Sequence, residues 1–237
     1  MMSQARVVII TGASQGIGAG LVRGFLARGH RVVANSRSIK PSADSNILSV
    51  TGDIAERATA GHVVGAALEH FGRVDTLVNN AGVFIAKPFI DYADTDFAKV
   101  FAVNVAGFFH LSQAAARQML AQGSGHIVNV TTTLADQPLA SVPSALAALS
   151  KGGLNAVTRS LAIEYAAKGI RVNAVSPGIV NTPMHAAETH AQLAALHPMG
   201  RIGEVEEIVE AVLYLDDAQF VTGEVLHVDG GQHAGHW

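Results

Sequence analysis

The sequence predicts an α/β fold: one doubly wound domain, residues 1–237, with helices on both faces of a seven-stranded parallel sheet. The first observation is that short apolar runs of β type alternate with longer helix-type segments along almost the whole chain. The second is that these runs are mostly continuous Val, Ile and Leu, as in strands buried on both faces. The third is composition: a chain of 237 residues, 49% hydrophobic and 15% charged, can bury a large core without disulfides.

Each apolar run bounded by polar or glycine-rich residues is a predicted strand. In chain order we expect strands at 6–11, 31–35, 47–52, 74–79, 126–131, 170–175 and 225–228. Parallel neighbours need a crossover connection, and most of the intervening segments are long enough to form a helix. The predicted helices are 16–28, 55–71, 94–122, 144–168 and 204–215.

Two connections differ from this pattern. Residues 36–46 are too few and too polar for a crossover helix, so we expect a loop or a single turn there. Residues 177–203 are longer and irregular, with three prolines around a weakly helical stretch. Long excursions in compact domains are often lids or substrate loops, so we expect this segment to be mobile.

Composition and charge limit the classes of partner. Sixteen Lys and Arg against nineteen Asp and Glu leave a net charge of −3 without a basic stripe, so nucleic acid is not an expected partner. The chain has no cysteine, which is compatible with a reducing compartment. The N-terminus lacks the apolar region of a signal peptide, and no apolar run approaches a membrane span. We therefore expect a cytoplasmic protein that acts on a small molecule.

A glycine-rich turn follows the first predicted strand, where residues 11–18 read Thr-Gly-Ala-Ser-Gln-Gly-Ile-Gly and a helix comes next. Bare backbone at a helix N-terminus lets a pyrophosphate approach unpaired N–H groups, which the helix dipole also favours. The alternative is an ordinary tight turn between a strand and a helix. Its position after a strand and before a helix favours the phosphate-binding interpretation.

Further motifs follow in order along the chain. They are Gly52-Asp53-Ile54, Asn79-Asn80-Ala81-Gly82, Asn104-Val105-Ala106-Gly107, Lys151 on a long helix, Pro177-Gly178 leading to Thr182-Pro183, and Val228-Asp229-Gly230-Gly231. Together with the glycine spacing, this set resembles the short-chain dehydrogenase/reductase family over residues 6–231. The resemblance implies a Rossmann-type fold that binds a nicotinamide dinucleotide across the carboxyl ends of the strands.

The resemblance also implies which residues contact the cofactor. The residue matching Asp53 contacts the adenine, residues 79–82 support the adenosine half, and Ile179 and Thr182 lie near the nicotinamide amide. The full expected set is Gly12, Ser14, Gln15, Gly16, Ile17, Gly18, Ser36, Arg37, Asp53, Ile54, Asn80, Ala81, Gly82, Lys151, Pro177, Gly178, Ile179 and Thr182.

The choice of cofactor depends on the end of the second strand. An acidic residue there binds the ribose 2′-hydroxyl, whereas a basic residue accommodates a 2′-phosphate. The sequence has Ser36 and Arg37 at this point and no acid until Asp44. Ser36 can donate to phosphate and Arg37 can pair with it, so we expect NADP(H), with NAD(H) as the alternative.

The catalytic residues match the family only in part. The family transfers a proton through a tyrosine four residues before the lysine, with a serine at the substrate oxygen and an asparagine that anchors a water. Here Ala147 precedes Lys151 by four residues, Thr132 replaces the serine, and Asn104 is present. Thr132 keeps a hydroxyl at the serine position, whereas Ala147 offers no phenol at the tyrosine position. Ser144 is either part of a water relay with Thr132 and Lys151 or an N-cap residue.

No other residue clearly replaces the missing acid. The three tyrosines, Tyr92, Tyr165 and Tyr214, do not fall into register with Lys151. His185, His190 and His197 have spacings that do not suit a shared metal site, so no metal is expected, although His185 or His190 could donate a proton at neutral pH.

Two functions remain open. The first is an NADP(H)-dependent oxidoreductase of a small carbonyl or alcohol, similar to 3-oxoacyl reductases or sugar and alcohol dehydrogenases, with an altered proton donor. The second is a dinucleotide-binding pseudoenzyme or sensor. A lyase, hydratase or isomerase has no acid–base pair to support it. Small residues on the long helices, together with the resemblance, imply a homotetramer, with a dimer as the next choice.

Overall fold

Seven strands form one sheet in the computed structural model, which describes residues 5–235. The strands are β1 (Val7–Thr11), β2 (Arg31–Ser36), β3 (Ile47–Thr51), β4 (Thr76–Asn79), β5 (Gly125–Val130), β6 (Ile170–Pro177) and β7 (Val225–Val228). Their spatial order is β3-β2-β1-β4-β5-β6-β7, and every neighbouring pair is parallel. The predicted doubly wound parallel sheet is therefore confirmed, with strand ends displaced by at most two residues.

Helices connect the strands and cover the sheet. They are α1 (Gly16–Ala27), α2 (Arg57–Phe71), α3 (Asp94–Val100), α4 (Phe108–Gln122), α5 (Ala145–Tyr165), α6 (His190–Ala194) and α7 (Val205–Asp217). Residues 37–46 contain no helix, as the sequence predicts. The excursion after β6 contains the short α6 and is closed at its base by a bridge between Val180 and Gly203.

Two hydrophobic cores lie on opposite faces of the sheet. One face packs against α2, α4 and α5, with Val63, Leu111 and Ala162 in its core. The other packs against α1 and α7, with Phe25 and Ile208. Each strand therefore buries both faces, which is why the apolar runs are continuous rather than alternating.

The predicted helix 94–122 is wrong in its middle. Residues Phe101–Gly107 form a π-helical segment between α3 and α4, with a wider turn than an α-helix. Gly107 packs against Ile54, where an added Cβ would lie 3.0 Å from the Ile54 carbonyl oxygen. The widened turn carries the buried Asn104, so the irregular segment coincides with a predicted site residue.

A cluster of buried charges lies at the amino end of the sheet. Asp216 of α7 accepts a hydrogen bond from Thr76 at 2.7 Å, pairs with Arg6 at 2.9 Å and lies 3.3 Å from His126 Nδ1. Burial alone would raise the pKa of Asp216, but the hydrogen bonds from His126 and Thr76, the nearby His30 ring and the Arg6 charge hold that pKa well below its usual range. The carboxylate therefore stays ionised and joins α7 to Arg6, just before β1, and to β4 and β5.

No helix among the described residues is long and apolar enough to cross a membrane.

Replacing Asp216 tests how much this cluster stabilises the fold. We expect Asp216→Ala to lower the free energy of unfolding by about 3–5 kcal/mol, because Arg6 and His126 lose a buried partner. The matched control is Asp217→Ala, which removes a neighbouring carboxylate that pairs with Arg28 at the surface. That change should cost about 0–1 kcal/mol. Urea unfolding of both variants measures the difference, and equal losses would contradict a structural role for the buried cluster.

Candidate active site

The predicted site residues meet at the carboxyl edge of the sheet, where the loops after β1, β4, β5 and β6 come together. Because parallel strands end at the same edge, their loops share one crevice near the centre of the sheet, where the strand order reverses between β1 and β4. Residues far apart in sequence are thereby brought into contact. This crevice is the place at which such a sheet binds a ligand.

The glycine-rich turn after β1 has the form that bare-backbone binding requires. Gly12 and Gly16 adopt φ of +64° and +53°, which disfavour any residue with a Cβ. An added Cβ at Gly18 would overlap the carbonyl oxygen of Gly12. The N-cap residue of α1, Gln15, makes no side-chain capping bond, and the first turn contains no acid. The N–H groups that begin α1 can therefore bind the phosphates of a dinucleotide, and the turn fits that group.

The loop after β4 fixes this turn in place. The Asn80 side chain donates to the carbonyl oxygen of Thr11 at 2.9 Å. In return, the Thr11 hydroxyl oxygen accepts hydrogen bonds from the N–H groups of Asn80 and Ala81, at 3.0 and 2.9 Å. These hydrogen bonds hold the ends of β1 and β4 together.

The loop after β6 covers the same turn from the other side. A Cβ at Gly16 would lie 3.3 Å from two carbon atoms of Thr182, and Pro183 follows next to it. At the base of the loop, Gly178 donates to the carbonyl oxygen of Val228 at 3.0 Å. The structure therefore places the loop 177–182 next to residues 12–18, as a shared cofactor site requires.

The predicted adenine end lies beyond β2 and β3. The Ser36 hydroxyl oxygen accepts a hydrogen bond from the Ser38 N–H at 3.3 Å. Arg37 is exposed, and its guanidinium lies 4.0 Å from the Asp53 carboxylate. Asp53 also accepts from the Ala55 N–H at 3.0 Å. A guanidinium and a carboxylate thus border the same corner, the first suited to a phosphate and the second to an amino group.

Asn104 and Lys151 meet at the centre of the edge. Asn104 accepts from the Val83 N–H at 2.9 Å and donates to the Val83 carbonyl oxygen at 3.0 Å. It also donates to the Ser150 hydroxyl at 3.2 Å. Lys151 Nζ donates to the Val130 carbonyl oxygen at 2.7 Å. A Cβ at Gly82 would lie 3.1 Å from that Nζ, so the glycine leaves room for the lysine.

A small cavity of about 10 Å³ adjoins these two side chains, enough for one water molecule. Its polar lining comes from Thr11, Asn79, Asn104 and Lys151. Burial lowers the pKa of Lys151 to about 8. The ammonium group therefore remains mostly protonated at neutral pH, yet it gives up a proton far more readily than an exposed lysine.

Ala147 is buried one turn before Lys151. Tyr92 donates to the Ile85 carbonyl oxygen at 2.9 Å, Tyr165 lies under the Lys168 ammonium at the far end of α5, and Tyr214 is exposed on α7. None of these contacts involves Ala147 or Lys151.

The two hydroxyl residues of the predicted relay lie at helix starts. Thr132 caps a short 3₁₀ turn, where its hydroxyl oxygen accepts from the Leu134 N–H at 3.4 Å. Ser144 occupies the N-cap position of α5, but its side chain makes no capping hydrogen bond. Ser144 is also buried, and it holds the N-cap position that the sequence favours without using its hydroxyl to cap the helix.

The histidines of the excursion after β6 have separate roles. His190 Nε2 lies 3.3 Å from the His185 carbonyl oxygen. His197 is buried and its Nε2 accepts a hydrogen bond from the Ile179 N–H at 3.0 Å. Among residues 5–235, no group of three or more His, Cys, Asp or Glu side chains could hold a metal ion.

Sequence reasoning did not identify four contributors to the site. Thr11, Val83 and Val130 act through a hydroxyl or through backbone atoms that fix Asn80, Asn104 and Lys151. His197 fixes the Ile179 backbone. No sequence signal marks the two valines, because any residue offers the same backbone atoms.

Comparisons with known proteins agree with this arrangement. Residues 12–233 match a family model described as enoyl-(acyl carrier protein) reductase. The chain is 38% identical over 245 residues to the granaticin polyketide synthase putative ketoacyl reductase 2 of Streptomyces violaceoruber, with 97% of each chain covered.

Solved structures share the fold over nearly the whole chain. One is ElxO with NADP bound, at a TM-score of 0.92 and 28% identity, covering 98% of this chain and 100% of that one. Another is the 3-ketoacyl-(acyl-carrier-protein) reductase of Brucella melitensis complexed with NADH. Its TM-score is 0.90 at 32% identity, and the match covers 97% of this chain and 99% of that one. Both cofactors thus occur on this scaffold.

Proposed function

The chain belongs to the short-chain dehydrogenase/reductase family, and from that premise we propose that it is an NADP(H)-dependent oxidoreductase of a small carbonyl or alcohol. The observation that carries the proposal is the shared edge at which the glycine-rich turn, Asn80, Asn104 and Lys151 meet. A ketoacyl-reductase-like or alcohol-dehydrogenase-like reaction is the chemistry that this arrangement supports. NADP bound to the similar ElxO supports the choice of cofactor.

The chain's own residues would bind the cofactor in three places. The N–H groups at the start of α1 would hold the pyrophosphate, with bare backbone at Gly12, Gly16 and Gly18. Ser36 and Arg37 would hold a 2′-phosphate, and Asp53 would contact the adenine. Lys151 lies at the inner end, where an ammonium group can bind ribose hydroxyls.

The missing phenol leaves a proton to be supplied by other groups. NADPH, when bound, supplies a hydride to the carbonyl carbon, and the carbonyl oxygen must then take up a proton. We assign that proton to a water in the space beside Ala147, held by Thr132, Ser144 and Lys151. Lys151, with its pKa lowered to about 8, can restore the proton to the water.

Ala147 also supports a second candidate function. A chain that binds NADPH and lacks an efficient acid would be a dinucleotide-binding pseudoenzyme or sensor. Asn104 and Lys151 keep structural bonds to Val83 and Val130, so their presence agrees with either function. Measured turnover separates the two.

Arg37 tests the cofactor preference. We expect Arg37→Asp to weaken NADPH binding roughly tenfold and to strengthen NADH binding, because a charge-assisted bond is lost and the carboxylate repels the 2′-phosphate. The control is Lys40→Asp, an equal change of charge three residues further along the exposed loop. Cofactor fluorescence titrations of both variants provide the measurement. Tighter binding of NADH than NADPH to the native chain would contradict the assignment.

Restoring the phenol tests the proton donor. We expect Ala147→Tyr to raise kcat by about 10²–10⁴-fold over a slow native enzyme, since this is the usual contribution of a positioned general acid. Ala147→Phe is the control, because it adds the same ring without the hydroxyl. NADPH oxidation is followed with a panel of ketones, aldehydes, quinones and 3-oxoacyl thioesters.

The outcomes of this panel distinguish the candidate functions. A silent native chain with an active Ala147→Tyr variant would favour the pseudoenzyme. A native rate equal to that of Ala147→Tyr would contradict the expectation that the absence of the phenol limits turnover. Equal gains from Tyr and Phe would show that the ring fills space and that its hydroxyl is not the acid.

We further propose a homotetramer, with a dimer as the next choice. Phe109 on α4 and Leu149 and Ile163 on α5 are more than half exposed, an arrangement that favours burial against other subunits. Light scattering should give about four times the 24.6 kDa chain mass. We expect Phe109→Glu to lower that mass. The control Glu69→Lys, on the surface of α2, should leave the mass unchanged. A native chain that is monomeric would contradict the proposal.

A further inference from the structure

His197 joins two parts of the chain at the carboxyl edge of the sheet. Its side chain is 3% exposed, although it follows a short helix in a largely exposed segment. The ring is enclosed by two glycines. A Cβ at Gly178 would lie 2.7 Å from Nε2, and a Cβ at Gly230 would lie 3.3 Å from the Cβ of His197. The imidazole therefore fills a space that the backbone of two loops leaves for it.

The hydrogen bonds of the ring define its protonation state. Nε2 accepts from the Ile179 N–H at 3.0 Å, so it carries no proton. Nδ1 lies 3.2 Å from the Leu193 carbonyl oxygen, to which only a protonated nitrogen can donate. One neutral tautomer satisfies both contacts. A second proton on Nε2 would place one N–H against another and break the contact with Ile179.

The two partners belong to different parts of the site. Ile179 lies in the loop that brings Thr182 next to Gly16 of the glycine-rich turn, and its carbonyl oxygen accepts from the Gly203 N–H at 2.8 Å. Leu193 lies in α6, within the excursion that the sequence predicts to contact substrate. Through His197, the loop beside the cofactor turn and the excursion are joined as one unit.

We propose that His197 is a positioning residue that locks the excursion 183–199 onto the loop 177–182, so that cofactor and substrate segments close together. The effect on turnover rests on the proposed oxidoreductase function, whereas the lock itself does not. The sequence groups this histidine only with His185 and His190, in a set whose spacing does not suit a shared metal site. In the structure its ring nitrogens contact the backbone of Ile179 and Leu193.

The charges around the ring set the pH range of the lock. Burial lowers the pKa of His197, and the Asp229 carboxylate at the end of β7 works in the opposite direction. That carboxylate is already engaged by the Thr133 hydroxyl, the Gly231 N–H and His233. Because the folded imidazole is harder to protonate than a free one, the lock is intact above the ordinary histidine pKa of about 6.5 and weakens as pH falls below it.

Amide hydrogen exchange tests the lock without any need for activity. We expect His197→Leu to speed exchange of peptides covering 177–182 and 190–199 by about tenfold or more, because the Ile179 N–H loses its acceptor. His197→Gln can place an oxygen near the Nε2 position and should restore most of the protection. His190→Gln, a change in the same excursion, is the control and should leave 177–182 unchanged.

The pH profile separates a lock from simple packing. In the native chain, protection of 177–182, corrected for intrinsic exchange and referred to a β1 peptide, should fall below pH 6.5. His197→Gln should show no such fall in protection, because its amide does not titrate in this range. In turnover assays we expect His197→Leu to raise KM for substrate more than it lowers kcat.

The proposal would be overturned if His197→Leu protected these peptides from exchange as well as the native chain does. Identical pH profiles for the native chain and His197→Gln would overturn it too. If His197→Leu does not fold, the pH profiles of the native chain and His197→Gln still test the proposal. If every chain is silent with NADPH and carbonyl substrates while the exchange results are as expected, the oxidoreductase function fails and the lock stands.

Discussion

The contact between the ends of β1 and β4 is the constraint on which the rest of the site depends. These two strands are neighbours where the strand order reverses, so the loops that follow them diverge and leave a crevice. Thr11 and Asn80 hold the two ends together with bonds of about 3 Å. The glycine-rich turn can pass this close because Gly12 and Gly18 have no side chains. A larger residue at either position would move the start of α1 away from the crevice.

From that contact a row of polar groups extends along the carboxyl edge of the sheet. Asn104, held by both backbone atoms of Val83, lies beside Lys151, which bonds to the end of β5. The π-helical segment is the means by which Asn104 reaches this position from a long helix. The cluster is complete without a phenol, because each member has a partner within the chain. The cluster therefore keeps its structure with an alanine at position 147.

Much of the fold could be predicted from the sequence because burial on both faces leaves a local trace. All seven strands appeared as apolar runs, and the loop after β2 was evident from its polarity. The break at 101–107 could not be predicted, since a π turn depends on what Asn104 and Gly107 meet across the sheet. For Ser144, local preference predicted a side-chain cap, but the buried serine makes none. For His197, the partner Ile179 is eighteen residues away, and no periodicity marks such a pair.

The buried charges around Asp216 lie at the opposite end of the strands from the crevice. With five-residue strands at about 3.3 Å per residue, the two ends are roughly 16 Å apart, so substitutions at one are nearly independent of those at the other. The anchoring of α7 and the chemistry of the crevice can therefore change separately over evolution. A chain built in this way can exchange one reactive group in the crevice for another and still fold.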